Sequence, residues 1–513
     1  MSDVVAGAAE RTSVRVWIGF LAMCLGMFMA ILDIQIVASS LPDIQAALGI
    51  SLDQLSWIQT AYLIAEVIAI PLTAQLARLL SLGGLYIAAV AGFSLASLGC
   101  AASPDFDILV ACRVIQGFCG GAIIPATFTA LFVLFPHDKR VLPTTVAGVF
   151  AMLAPTLGPT VGGYITETYS WHWLFLINVG PGILVAAVVG GLIRVGRPDW
   201  RYWNRLDFIG LALAGIFLGC LEVLLKEGPK REWSGALVDG LVAGCVISGL
   251  IAVRHCLQPR ERIVKLNIFG DRLFAINAVY SFVLGMGLYS SVYLLPVFLG
   301  LVRLHTPLEI GEIMIVGGAA QLAIAPVAAY AEKRVDHRLL VALGYGLFAA
   351  GLFANGFATA RTDYAGLFWP QLLRGVGVLI CLLPTTSMAL DQWTGDALTN
   401  ASALFNLMRN LGGAIGIGVV DTILAQRTPM HVAALVARLQ AGDPEAARIV
   451  GLPLERFHNV PLGPIDAHTK EIVQPMVERA ALTLSFNEAW LLMGLLFALS
   501  LLALPLLRGR KVP

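Results

Sequence analysis

No glycine in the 513-residue sequence is followed by lysine, so the chain has no GK step and no phosphate-binding loop of a nucleotide-driven pump. None of the eight cysteines (24, 100, 112, 119, 220, 245, 256, 381) stands in a CxxC pair, which argues against disulfides and against a metal site. Outside the apolar runs there is no HExxH and no GxSxG, so neither metal-dependent nor serine hydrolysis is expected. No catalytic residue, metal or cofactor is assigned. Charge is scarce as well. Asp, Glu, Lys and Arg make up 13% of the residues, against roughly 25% in soluble proteins. The net charge of +1 supplies no field to attract nucleic acid.

What fills the chain instead is apolar: 58% hydrophobic residues, 52 glycines and a mean hydropathy of +0.80. Glycine is commoner in membrane helices than in soluble ones. A bilayer core takes roughly 20 apolar residues per helix, and fourteen such runs are present. They lie near 16–40, 56–77, 83–103, 107–134, 142–165, 172–194, 207–226, 235–254, 273–300, 308–330, 338–358, 364–390, 398–425 and 486–507. They are too long, and too apolar on every face, for barrel strands. The fold class expected is an all-α polytopic membrane protein with fourteen transmembrane helices. The first run is too long for a signal-peptide core and reads as a retained span. With the N-terminus inside, the inner segments hold twenty Lys and Arg and the short outer loops five. That bias places both termini in the cytoplasm. The long outer loop, 426–485, shows helical patterns at 431–440 and 468–483 around a Pro-rich stretch. It reads as a solvated cap or a docking surface.

Two segments repeat. CRVIQGFCGGAIIP (112–125) and LRGVGVLICLLP (373–384) each place an arginine before glycines and a proline, in spans four and twelve. Treating spans seven and eight as an insertion makes the two segments equivalent in a pair of parallel six-helix repeats. The expected organisation is a tail at 1–15, one six-helix bundle at 16–194, a linker with two additional helices at 195–272, a second bundle at 273–507 containing the outer loop, and a tail at 508–513.

The motifs resemble the fourteen-span drug:proton antiporter family of the major facilitator superfamily. LDIQIVASSLP (32–42) is similar to its first-span signature and WIQTAYLIAEVIAIPL (57–72) to its second span. CRVIQGFCGGAIIP is similar to its span-four arginine motif, and APTLGPTVGGYI (154–165) to its antiporter motif. WHWLFLINVGPG (171–182) and NLMRNLGG (406–413) are similar to its span-six and span-thirteen signatures. The similarity covers essentially the whole chain. One departure stands out: AQLARLLSLGG (74–84) has Arg78 where the family's GxLADRxGRR loop carries an acidic residue, so a cytoplasmic gate built on that charge pairing is weaker here or built differently.

The resemblance implies proton-coupled export of hydrophobic or amphipathic compounds by alternating access, driven by the proton gradient. A specific metabolite or fatty-acid exporter, or an importer, would use the same fold. A non-transporting receptor or scaffold is the reading from another class. In a Gram-negative source, the resemblance also implies a periplasmic adaptor and an outer-membrane channel as partners, and the inner membrane as the location.

Charges inside a membrane are costly and point to function. Asp33 is the first candidate for proton coupling, because removal from water disfavours a carboxylate's charged form; the bland reading is a structural acceptor for an arginine. Arg113 is its natural partner, with Gln116 on the same helix face. Glu66 is a second proton site or a contact for cationic drugs. Gln35, Tyr62, Gln116, Met286 and Tyr289 are candidate substrate contacts. In span five, Gly158, Gly162 and Gly163 allow close helix approach and Pro155 and Pro159 allow bending; these form the conformational motif. Arg374, Arg409 and Asp421 are the polar residues of the second half, assigned to gating, with Arg409 expected near the cytoplasmic end.

Overall fold

The computed structural model describes residues 14–136, 141–193, 198–200, 203, 207–231, 233–256, 266–332, 334–393, 395–457 and 467–507. The N-terminal tail to residue 13 lies outside these, as do the Pro-rich stretch 458–466 and 508–513. So does much of the basic charge behind the expected orientation: residues 139–140, 194, 197, 201, 205, 260, 262, 265 and 333. The described chain is helical, with no strand among the described residues.

Eighteen α-helices follow in order: α1 (Val14–Ala38), α2 (Leu41–Leu48), α3 (Leu52–Leu55), α4 (Trp57–Leu80), α5 (Leu82–Ala101), α6 (Phe106–Leu134), α7 (Val141–Thr168), α8 (Trp173–Leu176), α9 (Val179–Leu192), α10 (Phe208–Lys230), α11 (Ala236–Cys256), α12 (Arg272–Leu301), α13 (Pro307–Glu332), α14 (His337–Asn355), α15 (Tyr364–Leu390), α16 (Gly395–Gln440), α17 (Pro444–Val450) and α18 (Ala467–Ser500). Thirteen of the helical stretches, with α8 and α9 taken together, are long and apolar enough to cross a membrane. The remaining expected span is α4, 24 residues long and apolar over Trp57–Ile70. The protein is therefore a multi-pass membrane protein, and α4 counted as a fourteenth span would put both ends on one face.

Short polar residues at the membrane faces start the helices. Asp105 accepts from the Ile108 amide at 2.9 Å, Asp271 from Phe274 at 2.7 Å and Asp336 from Arg338 at 2.8 Å. Each satisfies an amide that the helix itself leaves open.

The described part of the segment 426–485 is largely helical, as expected at 431–440 and 468–483. Span thirteen runs on through it: α16 is 46 residues long, about 69 Å at 1.5 Å per residue, against a hydrocarbon core of roughly 30 Å. The start of α18 returns antiparallel to it, and α17 lies across the tip. The hairpin has its own core of Leu435, Leu439, Ala446, Ala447, Val450, Val477, Ala480 and Ala481. At its base Arg427 grips Glu488 with two bonds of 2.6 and 2.8 Å, and His431 reaches the same carboxylate at 3.0 Å. Near the tip Asp443 caps α17 and accepts from Arg438 at 2.6 Å, which holds its carboxyl below the usual carboxylate range. The helical patterns at 431–440 and 468–483 are thus extensions of two spans.

The N-terminal and C-terminal helices share a hydrophobic core at one end. One hydrophobic core joins Leu32, Ile36, Leu41 and Ile58 to Tyr293, Phe298, Ile310 and Trp490, which lie toward the hairpin face. Toward the face of the termini the cores are separate: Phe20, Met23, Phe135 and Ile193 in one, Ile268, Phe274, Leu404 and Phe405 in the other. The seam at the hairpin end is α7 against α13. A side chain at Gly163 would strike the Pro307 carbonyl, and one at Gly311 would come within 2.7 Å of the Pro159 carbonyl. Thr156 and Thr160 donate across the seam to the carbonyls of Gly318 (3.1 Å) and Gly311 (3.0 Å). Farther along α7, Gly148 has nothing within 4 Å of a would-be Cβ. Val327 and Tyr330, near the far end of α13, are exposed. The halves are closed at the hairpin face and open at the face of the termini.

This asymmetry yields a paired prediction on one helix. Gly163→Leu forces a side chain into backbone and should destabilise this state by about 1–3 kcal/mol. Gly148→Leu enters open space and should stay within roughly 0.5 kcal/mol of the parent. Thermal unfolding of the purified variants reads both; equal losses would mean that the seam is not where the structure closes it.

Candidate functional site

The carboxylate of Asp33 is fully buried near the C-terminal end of α1, and four helical elements converge on it. Arg113 of α6 donates to Asp33 Oδ2 through the same terminal nitrogen that bonds Gln116 Oε1 at 2.7 Å. Gln116, one turn on, donates to Asp33 Oδ1 at 2.8 Å and to Ser97 of α5 at 2.9 Å. Asn178 donates to Asp33 Oδ1 at 2.7 Å. The Arg113 Nε spends its proton on the Ile58 carbonyl of α4 at 2.9 Å, and the guanidinium lies 4.4 Å over the Tyr62 ring and 5.8 Å from that of Phe175. Arg113 and Gln116 are themselves fully buried. A charge pair removed from water needs this density of partners to offset its desolvation.

The sequence paired Asp33 with Arg113 and Gln116, and the structure brings all three together. It missed Asn178 and Ser97. Asn178 sits in the WHWLFLINVGPG motif, where the sixth span breaks between α8 and α9. The interruption sets an amide side chain opposite α1. The polar Asn among apolar neighbours was the available signal. For Ser97, one of several serines in α5, the sequence offers none.

Glu66 is the second buried carboxylate, 3% exposed on α4. It lies opposite Asn410 of α16, whose Oδ1 accepts from the Tyr289 hydroxyl of α12 at 3.2 Å. Arg409, beside Asn410, is close enough to act on Glu66 electrostatically and donates to Asn406. Glu66 Oε2 has no hydrogen-bond partner. A proton on that oxygen would displace no hydrogen bond, whereas both oxygens of Asp33 are already engaged. Glu66 therefore bridges one half to the other, while Asp33 is internal to the first.

The other expected residues fall in distinct places. Tyr62 is fully buried under Arg113, its hydroxyl donating to the Ala30 carbonyl at 3.3 Å, so it packs inside the first bundle. Gln35 is buried with its Cβ against Gly158. Met286 is half-buried, its backbone close to Gly416, and the Tyr289 ring lies on Gly413. In α7, which stays helical through Pro155 and Pro159, Gly158 and Gly162 receive α1 while Gly163 receives α13. Arg409 lies about 21 Å into α16 at 1.5 Å per residue, level with Glu66 and away from the start of α16. Asp421 is buried farther along α16, one residue before Thr422, whose hydroxyl donates to the Leu225 carbonyl of α10 at 2.8 Å. Arg374 is buried inside the second bundle on α15, bonded to Gln371 at 3.1 Å. Arg78, of the degenerate 74–84 motif, is exposed in the last turn of α4. Among the described residues no group of three or more His, Cys, Asp or Glu could hold a metal ion.

Residues 23–417 match the family described as Major Facilitator Superfamily. The chain is 40% identical over 419 residues to the colistin resistance protein EmrB of Acinetobacter baumannii, covering 81% of each. It is 30% identical over 428 residues to the multidrug export protein EmrB of Escherichia coli, covering 83% of each. It is 29% identical over 480 residues to the fatty acid resistance protein FarB of Neisseria gonorrhoeae, covering 93% of each. Its fold is shared with a bacterial homologue of the human lysosomal transporter Spinster in an inward-facing, unoccupied conformation. That likeness has a TM-score of 0.64 at 12% identity and covers 97% of this chain and 98% of the other. The family match over residues 23–417 and these relatives mean that the chain belongs to the major facilitator superfamily and, within it, to the EmrB-like drug:proton antiporter family.

Proposed function

We propose that this efflux transporter exports hydrophobic or amphipathic compounds in exchange for protons, with Glu66 as the carboxylate that substrate and proton share. The observation that carries the reading is the place of Glu66, on the line where the two halves meet, with one oxygen unpartnered. A group that must respond to alternating access has to face both halves, since a ligand shifts a conformational equilibrium only through differential affinity for its states. With the halves open toward the termini, a cationic or polar substrate group entering there meets Glu66 and displaces its proton. In the opposite state a proton returns and releases the substrate. The Asp33–Arg113 hub, buried in one half, holds α1, α4 and α6 together and transmits strain when Glu66 changes charge. No enzymatic step is required.

The protein sits in the inner membrane with both termini in the cytoplasm, so the α16–α18 hairpin stands on the outer side. There it is the surface for a periplasmic adaptor leading to an outer-membrane channel. A second reading, export of carboxylate amphiphiles, is favoured by Arg409 beside Glu66 and is in keeping with the name of the FarB relative. It uses the same cavity and the same proton site.

Glu66→Gln keeps the shape and removes the charge. A hydrogen bond to a charged group is worth about 1.5–3 kcal/mol, so affinity for a cationic dye should fall roughly ten- to hundredfold. Dye efflux from efflux-deficient cells, measured with and without a protonophore, should lose its protonophore-sensitive part. Unaltered coupled efflux in this variant removes Glu66 from the mechanism; fatty-acid efflux without any dye efflux selects the second reading.

Asp33→Asn leaves Arg113 as a buried charge without a counterion. Breaking such a pair typically costs about 3–5 kcal/mol. A lower unfolding temperature together with lost coupled efflux is expected. Normal stability and normal efflux would show that the hub does not depend on the charge of Asp33.

Replacing the hairpin by a short turn between α16 and α18 should preserve proton-driven uptake into inverted membrane vesicles while abolishing resistance in intact cells. Full resistance in cells would leave the hairpin without an adaptor role.

A further inference from the structure

The two repeats solve the same electrostatic problem differently. In the first, Arg113, Gln116 and Asn178 all donate to one built-in carboxylate, Asp33. In the second, the equivalent arginine is Arg374. It is 7% exposed, lies inside the helix bundle and forms no ion pair among the described residues. Its one recorded polar contact is a neutral one, Gln371 Oε1, and its guanidinium lies 5.8 Å from the Phe348 ring. An arginine keeps its charge at any physiological pH, and a buried charge with no counterion is costly. A ring at that distance offsets only a small part.

The groups around Arg374 are short of acceptors. Among the described residues, Arg374 Nε, Gln371 Nε2, Asn355 Nδ2 and Trp490 Nε1 are buried donors with no hydrogen-bond partner. Gln371 precedes Arg374 by one turn on α15. Asn355 follows, by one turn on α14, Gly351, whose would-be Cβ lies 2.7 Å from the Arg374 stem. Trp490 of α18 is next to Leu491, which packs over Gly356, the residue after Asn355. Gln371 and Arg374 share one face of α15, and the Arg374 stem packs on α14 at Gly351. Asn355 Oδ1, and Asn487 Oδ1 one turn before Trp490, are open amide acceptors of the same helices. Water, which donates as readily as it accepts, does not balance a set rich in donors that carries a full positive charge. A species that only accepts does.

We propose that the second half holds a small monovalent anion of the halide class beside Arg374, in the place that Asp33 fills in the first half. The anion neutralises Arg374 and accepts from the open Arg374 Nε and Gln371 Nε2. The N-terminal repeat carries its counterion covalently, and the C-terminal repeat borrows one. Stability, and with it transport, then depends on the anion supplied. This dependence is independent of Glu66 and of the identity of the exported compound.

The test is thermal unfolding of the purified full-length protein in chloride or in gluconate at equal ionic strength. Wild type should show a saturable rise in midpoint with chloride, of roughly a few degrees at a large excess over its Kd, and bromide should replace chloride. Gln371→Glu places a carboxylate on the atom that already accepts from Arg374. It should lose the chloride response and unfold in gluconate at or above the midpoint that wild type reaches in chloride. Arg374→Met should lose the response as well, and if it fails to fold, the Gln371→Glu result stands alone. Equal midpoints for wild type in the two salts would overturn the proposal, with water then meeting the donors. A full chloride shift retained in Gln371→Glu would also overturn it, by placing the chloride effect elsewhere.

Discussion

The buried ion pair between Asp33 and Arg113 is the constraint on which the first half depends. Separated from water, neither charge is tolerable alone. Every neighbouring element is therefore arranged to supply a partner. The sixth span is interrupted so that Asn178 can reach Asp33. The fourth span presents Gln116 one turn beyond Arg113, so that one side chain bridges the acid, the base and Ser97. The start of α4 gives up the Ile58 carbonyl to Arg113. Tyr62 covers the guanidinium with its ring and ties its own hydroxyl to α1. These contacts make α1, α4, α5, α6 and the α8–α9 break one rigid body. Alternating access needs such a body, because a soft bundle would absorb the motion that has to open the seam.

The seam itself is built on the opposite principle. Where α7 meets α13 the contact is backbone on backbone, through Gly163, Gly311 and Gly318, and its hydrogen bonds run from Thr156 and Thr160 to carbonyls and from the Leu308 amide to Glu167. Large interlocked side chains would make each separation expensive, since dispersion accumulates over many atom pairs. Glycine surfaces fit closely enough to exclude water and ions, yet forfeit little when they part. Large side chains interlock inside each half while the seam is close backbone contact, and that difference favours rigid-body motion over local unfolding.

Much of this was legible in the sequence. The fourteen apolar runs, the Asp33–Arg113–Gln116 group and the glycine-rich α7 follow from composition, spacing and the family motifs, because each leaves a local mark. Polar residues in apolar runs are conspicuous. What escaped the sequence depends on relations between distant segments. Asn178 becomes functional only because of the register of α9 against α1. Ser97 looks like any small helical residue. Glu66 was noticed as a charge, but its place opposite Asn410 needs the two halves assembled. The helices at 431–440 and 468–483 were legible, but not their continuity with the last two spans; helix continuity past the membrane is set by the hairpin core of Leu435, Ala447 and Val477, whose partners lie some forty residues apart in the chain. Tyr62, expected at a cavity wall, is drawn inward by the cation it covers.

The two extra helices fit the same mechanical logic. α10 lies against both α4 and α16, the helices that carry Glu66 and Asn410, and α11 packs on α10. The recorded tie from α10 to α16 is a hydroxyl–carbonyl bond, Thr422 to Leu225. Much of the apolar surface of α10 and α11, including Ile209, Ile216, Val246 and Leu250, remains exposed and faces lipid. A helix pair anchored firmly to both halves would clamp the seam that has to open. One that is held mainly by lipid and a single side of contacts can follow either half while still covering the edge where Glu66 crosses from α4 to α16. The insertion thus shields the charged junction from the bilayer, at little cost to the motion that the junction controls.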